Sequence, residues 1–421
     1  MTDTHHFVFV ESNTTGTGKL AVERLLEQRQ RVTFITRQPG KYPFLGRLAG
    51  SPTLRVLEAE TNEPAAVTTC VTQLQAREQI DALLTFSTFY VPLVASLAAR
   101  LRLRYLNPRA ALICHEKYEA RKVLREAGLP TPDFWLVTSE QEALQLSEQL
   151  TYPCVVKPPA ESGSTGVRLV RNREEFLSHF TALSSRQVNE RGQPLAGHVL
   201  VESLLNGPEF SVETVTLSKS DTRIIGITQK YLSPPPHFVE LGHDFPADLP
   251  PAERQALEQS VVAALDAVGF DLGPAHTEIR LCPQGPVVIE INPRLAGGMI
   301  PELVRHATGI DLLSVLLDQL LGKPVDLRPR QQAMASIRFV TSDRRGRLAA
   351  VRGVEEARQV ASVRELSVDK GPGTRVRPPE SASDRLGYVI ASGEDRARVL
   401  REIDQALGLI QLEVDTAGTG E

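Results

Sequence analysis

The first apolar run, Phe7-Val8-Phe9-Val10, ends at Glu11 and a turn-forming stretch, Ser12-Asn13-Thr14-Thr15-Gly16-Thr17-Gly18. A short apolar run bounded by turn residues predicts a buried strand. Helical periodicity follows over residues 19–28, and residues 32–36 and 82–86 repeat the strand pattern. Strand, glycine turn, helix and strand in that order predict a parallel αβ domain over about residues 1–110.

Further along, Ala120, Val123, Leu124 and Ala127 recur at helical spacing, and Gly128 and Pro130 stop the helix. Residues 152–228 read mostly as strands, with two-residue alternation over 198–202 and 209–217 and a polar loop over 181–197. Residues 251–269 are helical. Residues 275–281 and 287–291 flank Pro283-Gln284-Gly285-Pro286 and predict a hairpin. After residue 323 the composition turns rich in Arg and Gly, which predicts a separate αβ lobe or cap.

The length of 421 residues calls for two to four structural units. Hydrophobic residues make up 41% and charged residues 23%, with a net charge of −4. That balance excludes bulk attraction to nucleic acid or to an anionic membrane. No apolar run reaches the roughly 18–20 residues that span a bilayer. The polar start, Met1 to His6, has no basic region before a long apolar core, so no signal peptide is expected. Cys70, Cys114, Cys154 and Cys282 are scattered without metal spacing, so they are expected as buried small hydrophobes in a cytoplasmic protein. Trp135 and the tyrosines are expected to pack.

Gly16-Thr17-Gly18-Lys19 superficially suggests a P-loop. Asn13 stands where that motif needs a glycine and Leu20 where it needs Ser or Thr. A glycine turn into a helix is the better reading. A substrate contact from it stays open, because strand ends of open α/β sheets face the ligand crevice.

The hairpin carries the densest chemistry. Alternation puts His276, Glu278 and Arg280 on one face and Glu290 and Asn292 on one face of the partner strand. A turn near Gln284 sets Glu278 almost opposite Glu290, and two facing carboxylates call for a positive charge between them. A solvated charged face is one reading. A magnesium site with the Asn292 oxygen as a third ligand is the other. Magnesium prefers oxygen, so His276 is expected to support the ligands and not to join them.

Lys157 ends the apolar strand Cys154-Val155-Val156, and Glu161-Ser162-Gly163-Ser164-Thr165-Gly166-Val167 follows at once. Small residues there can form a flap whose amides and hydroxyls hold phosphate oxygens. Glu202-Ser203-Leu204-Leu205-Asn206-Gly207-Pro208-Glu209 reads as a strand, a hinge and a second strand, able to meet an adenine edge and ribose hydroxyls.

Together, and in this order, these residues resemble the ATP-grasp superfamily over about residues 110–322. The resemblance implies an ATP-grasp fold: a parallel αβ domain (1–110), an ATP-binding region (111–322) with a flexible lid at about 125–203 and an antiparallel core, and a C-terminal αβ lobe (323–421). It implies nucleotide contacts from Lys117, Lys157, Glu161, Ser162, Gly163, Ser164, Gly166, Glu202, Ser203, Leu204, Leu205, Glu209 and Lys230. It implies Glu278, Glu290 and Asn292 as ligands of Mg²⁺, two ions being expected and Mn²⁺ able to substitute. Arg294 and Lys230 fall at catalytic positions. Arg294, Gly297, Gly298, Glu240 and His243 fall where substrate is expected. One departure is that His115-Glu116 stands where the family often has Asn-Asp before its first lysine.

Within the superfamily the chain is most similar to amino-acid and dipeptide ligases, including L-amino acid ligases of peptide-antibiotic pathways. Residues 11–18, residues 238–246 and Arg294–Gly298 carry that closer likeness. The implied reaction is ATP-dependent joining of a small carboxylate to an amine through an acyl phosphate, releasing ADP and phosphate. His237 or His243 is a candidate to take the proton of the incoming ammonium. A carboxylase or purine-pathway ligase on the same scaffold, and a non-catalytic nucleotide-binding module, are the alternatives. The 323–421 lobe is a candidate cap or dimer contact.

Overall fold

The computed structural model describes residues 4–14 and 16–415. Thr15 of the first glycine turn, the start of the N-terminal polar stretch and the end of the 323–421 lobe lie outside the described residues.

Four strands, β1 (His6–Val10), β2 (Arg31–Thr36), β3 (Leu54–Glu58) and β4 (Ala82–Leu84), form a parallel sheet in the order β3-β2-β1-β4. Every residue of β1 is buried, as a parallel strand covered on both faces must be. Phe7 and Phe9 face one core cluster, Val8 and Val10 another. The helix Thr17–Glu27 starts at Gly16. A side chain at Gly18 would collide with Ser12 and Asn13, so glycine there allows close approach to the β1 turn. Lys19 pairs with Glu23 one turn on, on the helix surface, away from any phosphate role.

The second unit, where the lid was expected, is a smaller sheet. β5 (Phe134–Val137), β6 (Cys154–Lys157), β7 (Arg168–Val170) and β8 (Val199–Ser203) form an antiparallel sheet in the order β5-β8-β6-β7. The helices Glu140–Ser147 and Arg173–Ser184 share a core with this sheet. The second helix corrects the mostly-strand reading of residues 152–228, while the expected polar loop holds from residue 185 to 197. It begins at an Asn172 cap and runs to Ser184, because Phe176, Phe180 and Leu183 give it an apolar face. Trp135 does not pack inside; it is 36% exposed.

β9 (Glu209–Ser218), β10 (Asp221–Leu232), β11 (Glu240–Phe245), β12 (Gly273–Cys282) and β13 (Gly285–Asn292) build one side of a large antiparallel sheet. The helix Pro251–Ala267 covers its back over Phe210, Val212, Ala275 and Ile279. The sheet continues with β14 (Met334–Val340). Four more strands follow: β15 (Gly346–Arg352), β16 (Val363–Val368), β17 (Arg375–Val376) and β18 (Gly387–Gly393). The full order is β13-β12-β9-β10-β11-β14-β18-β16. The C-terminal stretch is therefore not detached from the core. It extends the same sheet through β11–β14 pairing, with Gly242 opposite Arg338 and Phe245 opposite Ala335. β15, β17 and β19 (Gln411–Asp415) make a small separate sheet. All four cysteines are free; Cys114, Cys154 and Cys282 are buried. No helix among the described residues is long and apolar enough to cross a membrane.

Candidate active site

The floor of the site is one face of the large sheet. Antiparallel pairing sets His276 opposite Glu213 and Arg280 opposite Glu209, and Glu278 opposite Glu290 on the other side. Cross-strand neighbours of opposite charge stabilise such a face. Here they make direct contacts. Arg280 Nη2 lies 3.1 Å from Glu209 Oε2, and His276 Nδ1 lies 2.9 Å from Glu213 Oε1. A bulge in the hairpin skips one residue, so that Ile289 also turns toward the cavity.

Lys230 rises from this floor among three carboxylates. Its Nζ lies 3.0 Å from Glu209, 2.8 Å from Glu240 and 2.8 Å from Glu278. Burial opposes its charge, but the three carboxylates win and hold the ammonium well above its ordinary pKa. Glu278 is half-buried, yet Lys230 and His276 outweigh that and keep it well below the usual carboxylate range. His276 is raised to about 9, burial being outweighed by Glu213 and Glu278.

The lid supplies the roof. Lys157, at the end of β6, is 4% exposed and lies 2.6 Å from Glu202 Oε2. Glu202 also accepts from Arg121 Nε at 2.8 Å. Burial alone would raise this carboxyl; Arg121 and Lys157 bring it down to about 2. Glu202 therefore acts in the structure as counter-ion of two cations. Lys117 begins the helix Lys117–Glu126 and joins lid to floor: its Nζ donates to Glu161 O at 2.7 Å and lies 3.1 Å from Glu290 Oε1.

Between floor and roof lies a cavity of about 270 Å³. Of the residues expected at the site, it is lined by Lys117, Lys157, Glu161, Ser162, Gly163, Ser164, Glu202, Ser203, Leu204, Leu205, Glu209, Lys230, Glu240, Glu278, Glu290, Asn292, Arg294, Gly297 and Gly298. Gly166 does not line it. It turns the flap, at φ +76°, against Pro158 and Leu183, where a side chain would clash. His243 stands just behind the wall. A Cβ on Gly298 would lie 2.9 Å from its Nε2, and Gly298 has φ +58°, so both space and backbone require glycine there. The His243 ring is fully buried, has no hydrogen-bond partner, and approaches Glu240 at 3.6 Å. Burial lowers its pKa against the pull of Glu240. His237 sits elsewhere, close enough to the lid's His179 to act on its charge.

Arg294 ties this cavity to the N-terminal sheet. Its Nε donates to Thr88 Oγ1 at 2.7 Å, just beyond the carboxyl end of β4, while Nη2 donates to Asn292 Oδ1 at 3.2 Å. The crevice at the carboxyl edge of the parallel sheet thus opens beside the cavity. Glu278, Glu290 and Asn292 offer only oxygen donors at neighbouring positions of one hairpin, a set that suits a hard divalent cation.

Comparison with known proteins agrees with this geometry. Residues 150–302 match the ATP-grasp domain family, and residues 338–415 match the L-amino acid ligase C-terminal domain 2. Residues 150–302 thus form an ATP-grasp domain. The crystal structure of L-amino acid ligase from Bacillus licheniformis superposes with a TM-score of 0.84 at 24% identity, covering 99% of this chain and 100% of that one. An uncharacterized protein of Sinorhizobium fredii is 29% identical over 402 residues, 96% of this chain and 82% of its own length. Carnosine synthase 1 of Gallus gallus is 29% identical over 299 residues. That match takes in 65% of this chain but only 32% of the carnosine synthase.

Several residues that shape the site were not singled out from sequence. Arg121, 1% exposed, sits one turn after Lys117 and also donates to Ile289 O at 2.6 Å. That i, i+4 spacing was a usable signal. Arg186 holds Glu161 at 2.6 Å, and Glu213 holds His276; neither has a local sequence cue. Arg385 lines the cavity from the far C-terminal segment.

Proposed function

We propose that this ligase joins the carboxylate of an amino acid or small acid to the amine of an amino acid, through an acyl phosphate made from ATP. One observation carries the reading. Lys117, Lys157, Lys230 and Arg294 converge on a single cavity with Glu278 and Glu290, beside the carboxyl edge of the N-terminal sheet. Such a site suits a triphosphate at one end and a carboxylate at the other.

In this reading the hinge Ser203-Leu204-Leu205 and Glu209 hold the nucleoside. Lys117, Lys157 and the flap amides at Ser162–Ser164 hold phosphate oxygens. Glu278, Glu290 and Asn292 are the residues that would hold Mg²⁺, whose chemistry is to neutralise the phosphates and line them up. The substrate carboxylate attacks the γ-phosphorus, and Lys230 and Arg294 balance the charge that moves to the transferring group; no protein nucleophile is required. The amine then attacks the acyl carbon, the carbon–oxygen bond to the phosphate breaks, and phosphate leaves with the amine's proton. Arg294 and the backbone at Gly297 and Gly298 stabilise the oxyanion, a contribution typically worth ~10²–10³-fold per donor. His243 stays behind Gly298 with both ring nitrogens buried, so it orders this wall and is not the group that takes the ammonium proton. The flap closes to exclude water from the acyl phosphate. We divide the labour accordingly into residues 1–110 for the substrate crevice, 111–322 for ATP, with 125–203 as lid, and 323–421 as the wall described below.

The test is phosphate release screened over pairs of amino acids and small carboxylic acids, with mass spectrometry of the product. The expected result is phosphate release that needs both partners and an amide product. Release that needs bicarbonate instead would assign the carboxylase reading, and nucleotide binding without turnover would assign the non-catalytic one.

A further inference from the structure

The C-terminal segment reaches the cavity through one short loop, just before β18. Asp384 pins that loop by accepting from Glu380 N at 2.9 Å, Ser381 N at 3.0 Å and Arg377 Nε at 2.9 Å. Leu386 N then donates to Val340 O at 2.8 Å, fixing the loop to β14. Between these anchors stands Arg385.

Its guanidinium grips one residue at two points. Nη2 donates to the Glu240 carboxylate at 2.8 Å and to the Glu240 carbonyl at 3.0 Å, and Nε donates to the same carbonyl at 3.1 Å. The opposite side of the guanidinium lies against Phe339, with Cζ 3.8 Å from the ring centroid. Phe339 in turn meets the His243 ring edge to face at 5.7 Å. Glu240 and Phe339 are thus two of the groups packed against His243, and Arg385 holds both. Glu240 also sits 2.8 Å from Lys230.

We infer that Arg385 is the contribution of the C-terminal segment to the chemical step. It is a positioning residue that fixes the Glu240 carboxylate and the Phe339 ring, and through them the Lys230 ammonium and the His243 imidazole. The inference rests on the amide-ligase reading above. The pinned loop explains why a region so far along the chain adds strands to the nucleotide-binding sheet: the shared sheet fixes Arg385 relative to β11. The neighbouring Ala382 faces the flap as well, 3.7 Å from where a Cβ on Gly163 would stand, so the same loop forms the surface the flap closes on.

The experiment compares the full-length wild type with Arg385→Ala and Arg385→Lys, using an acid and amine pair that the wild type joins. ATP affinity and melting temperature are measured beside the steady-state constants. The expected result is a fall in kcat of about 10–100-fold for Arg385→Ala, the range typical when an orienting partner is lost, with KM for ATP nearly unchanged. Arg385→Lys does not restore the rate, because a point ammonium cannot span carboxylate and carbonyl together. Added guanidinium ion partly restores Arg385→Ala. Should Arg385→Ala fail to fold, Phe339→Leu removes the ring between Arg385 and His243, and the same loss of kcat at constant ATP affinity is expected. Wild-type kcat in either folded variant overturns the inference, as does a loss that follows melting temperature and ignores guanidinium. A wild type that turns over no acid and amine pair defeats the ligase reading and this inference with it; a working wild type matched by its variants defeats this inference alone.

Discussion

Single residues in this site are defined by their partners. Glu290 faces Glu278 across the hairpin and has Lys117 as its cation. We expect Glu290→Ala to abolish ligation while the fold survives, at a cost of about 1–3 kcal/mol for the buried lysine left short of a partner. Circular dichroism and phosphate release on the same sample check this, and full activity would remove Glu290 from the metal set. Glu202 offers a pH prediction. Its carboxyl sits at about 2 in the folded chain, against about 4.3 when unfolded. A depressed folded value gives stability that is complete above the unfolded value and is lost as pH falls from there through about 2. Glu202→Gln therefore loses stability at pH 7, on the order of 2–3 kcal/mol. It also flattens the decline between pH 5 and pH 2.5. Denaturant unfolding of both proteins across that range measures it, and identical slopes would show that Glu202 is not the group responsible.

At the scale of elements, the lid is not free of the N-terminal domain. Residues 189–193 reach across to the carboxyl edge of the parallel sheet. Arg191 donates to Ser12 O at 2.9 Å and Tyr42 Oη at 3.2 Å, while its own carbonyl accepts from Arg37 Nη1 at 3.0 Å and Asn62 Nδ2 at 2.9 Å. Beneath it Glu11, buried at φ +53°, accepts from Thr36, Tyr42, Thr61 and the Arg37 amide. This strap ties residues 189–193 to the crevice edge of the parallel sheet. Arg191→Ala removes two of its bonds, each worth about 0.5–1.5 kcal/mol. A looser lid admits water, so more phosphate should be released per amide formed, with kcat/KM down roughly 5–150-fold, corresponding to about 1–3 kcal/mol for the two bonds. The phosphate-to-product ratio is the measurement, and an unchanged ratio would show that the strap does not guard the intermediate. The sequence marked residues 11–18 as a possible contact but gave no sign of Arg191, whose polar loop carries no periodicity to read.

For the whole molecule, the decisive feature is the eight-stranded sheet shared by the nucleotide-binding core and the C-terminal segment. Ala335, Ile337 and Ile390 belong to the same core cluster as Phe245, Val304 and the N-terminal Phe7 and Phe9. A separable lobe would leave the rest folded when removed. Here, deleting residues 334–421 uncovers the edge of β11 and opens that cluster, so a chain ending at residue 333 should not fold cooperatively. A sharp melting transition with bound nucleotide in that truncation would overturn the expectation.

The parallel N-terminal sheet and the carboxylate-bearing hairpin followed from the sequence itself, because strand alternation is a local property. The two-residue turn between Cys282 and Gly285 would by itself set Glu278 opposite Ile289, and it is the bulge that brings Glu290 across from it. The ordered lysines, flap and hinge were legible for the same reason, since each motif lies within a few residues of its element's end. Only the tertiary structure decided which strands became neighbours. That choice gave Lys230 its three carboxylates, placed His243 behind Gly298, and brought Arg385 to Glu240 from 145 positions away. The pairing of distant strands is set by burial of both sheet faces summed over the whole chain, a quantity that no single segment carries.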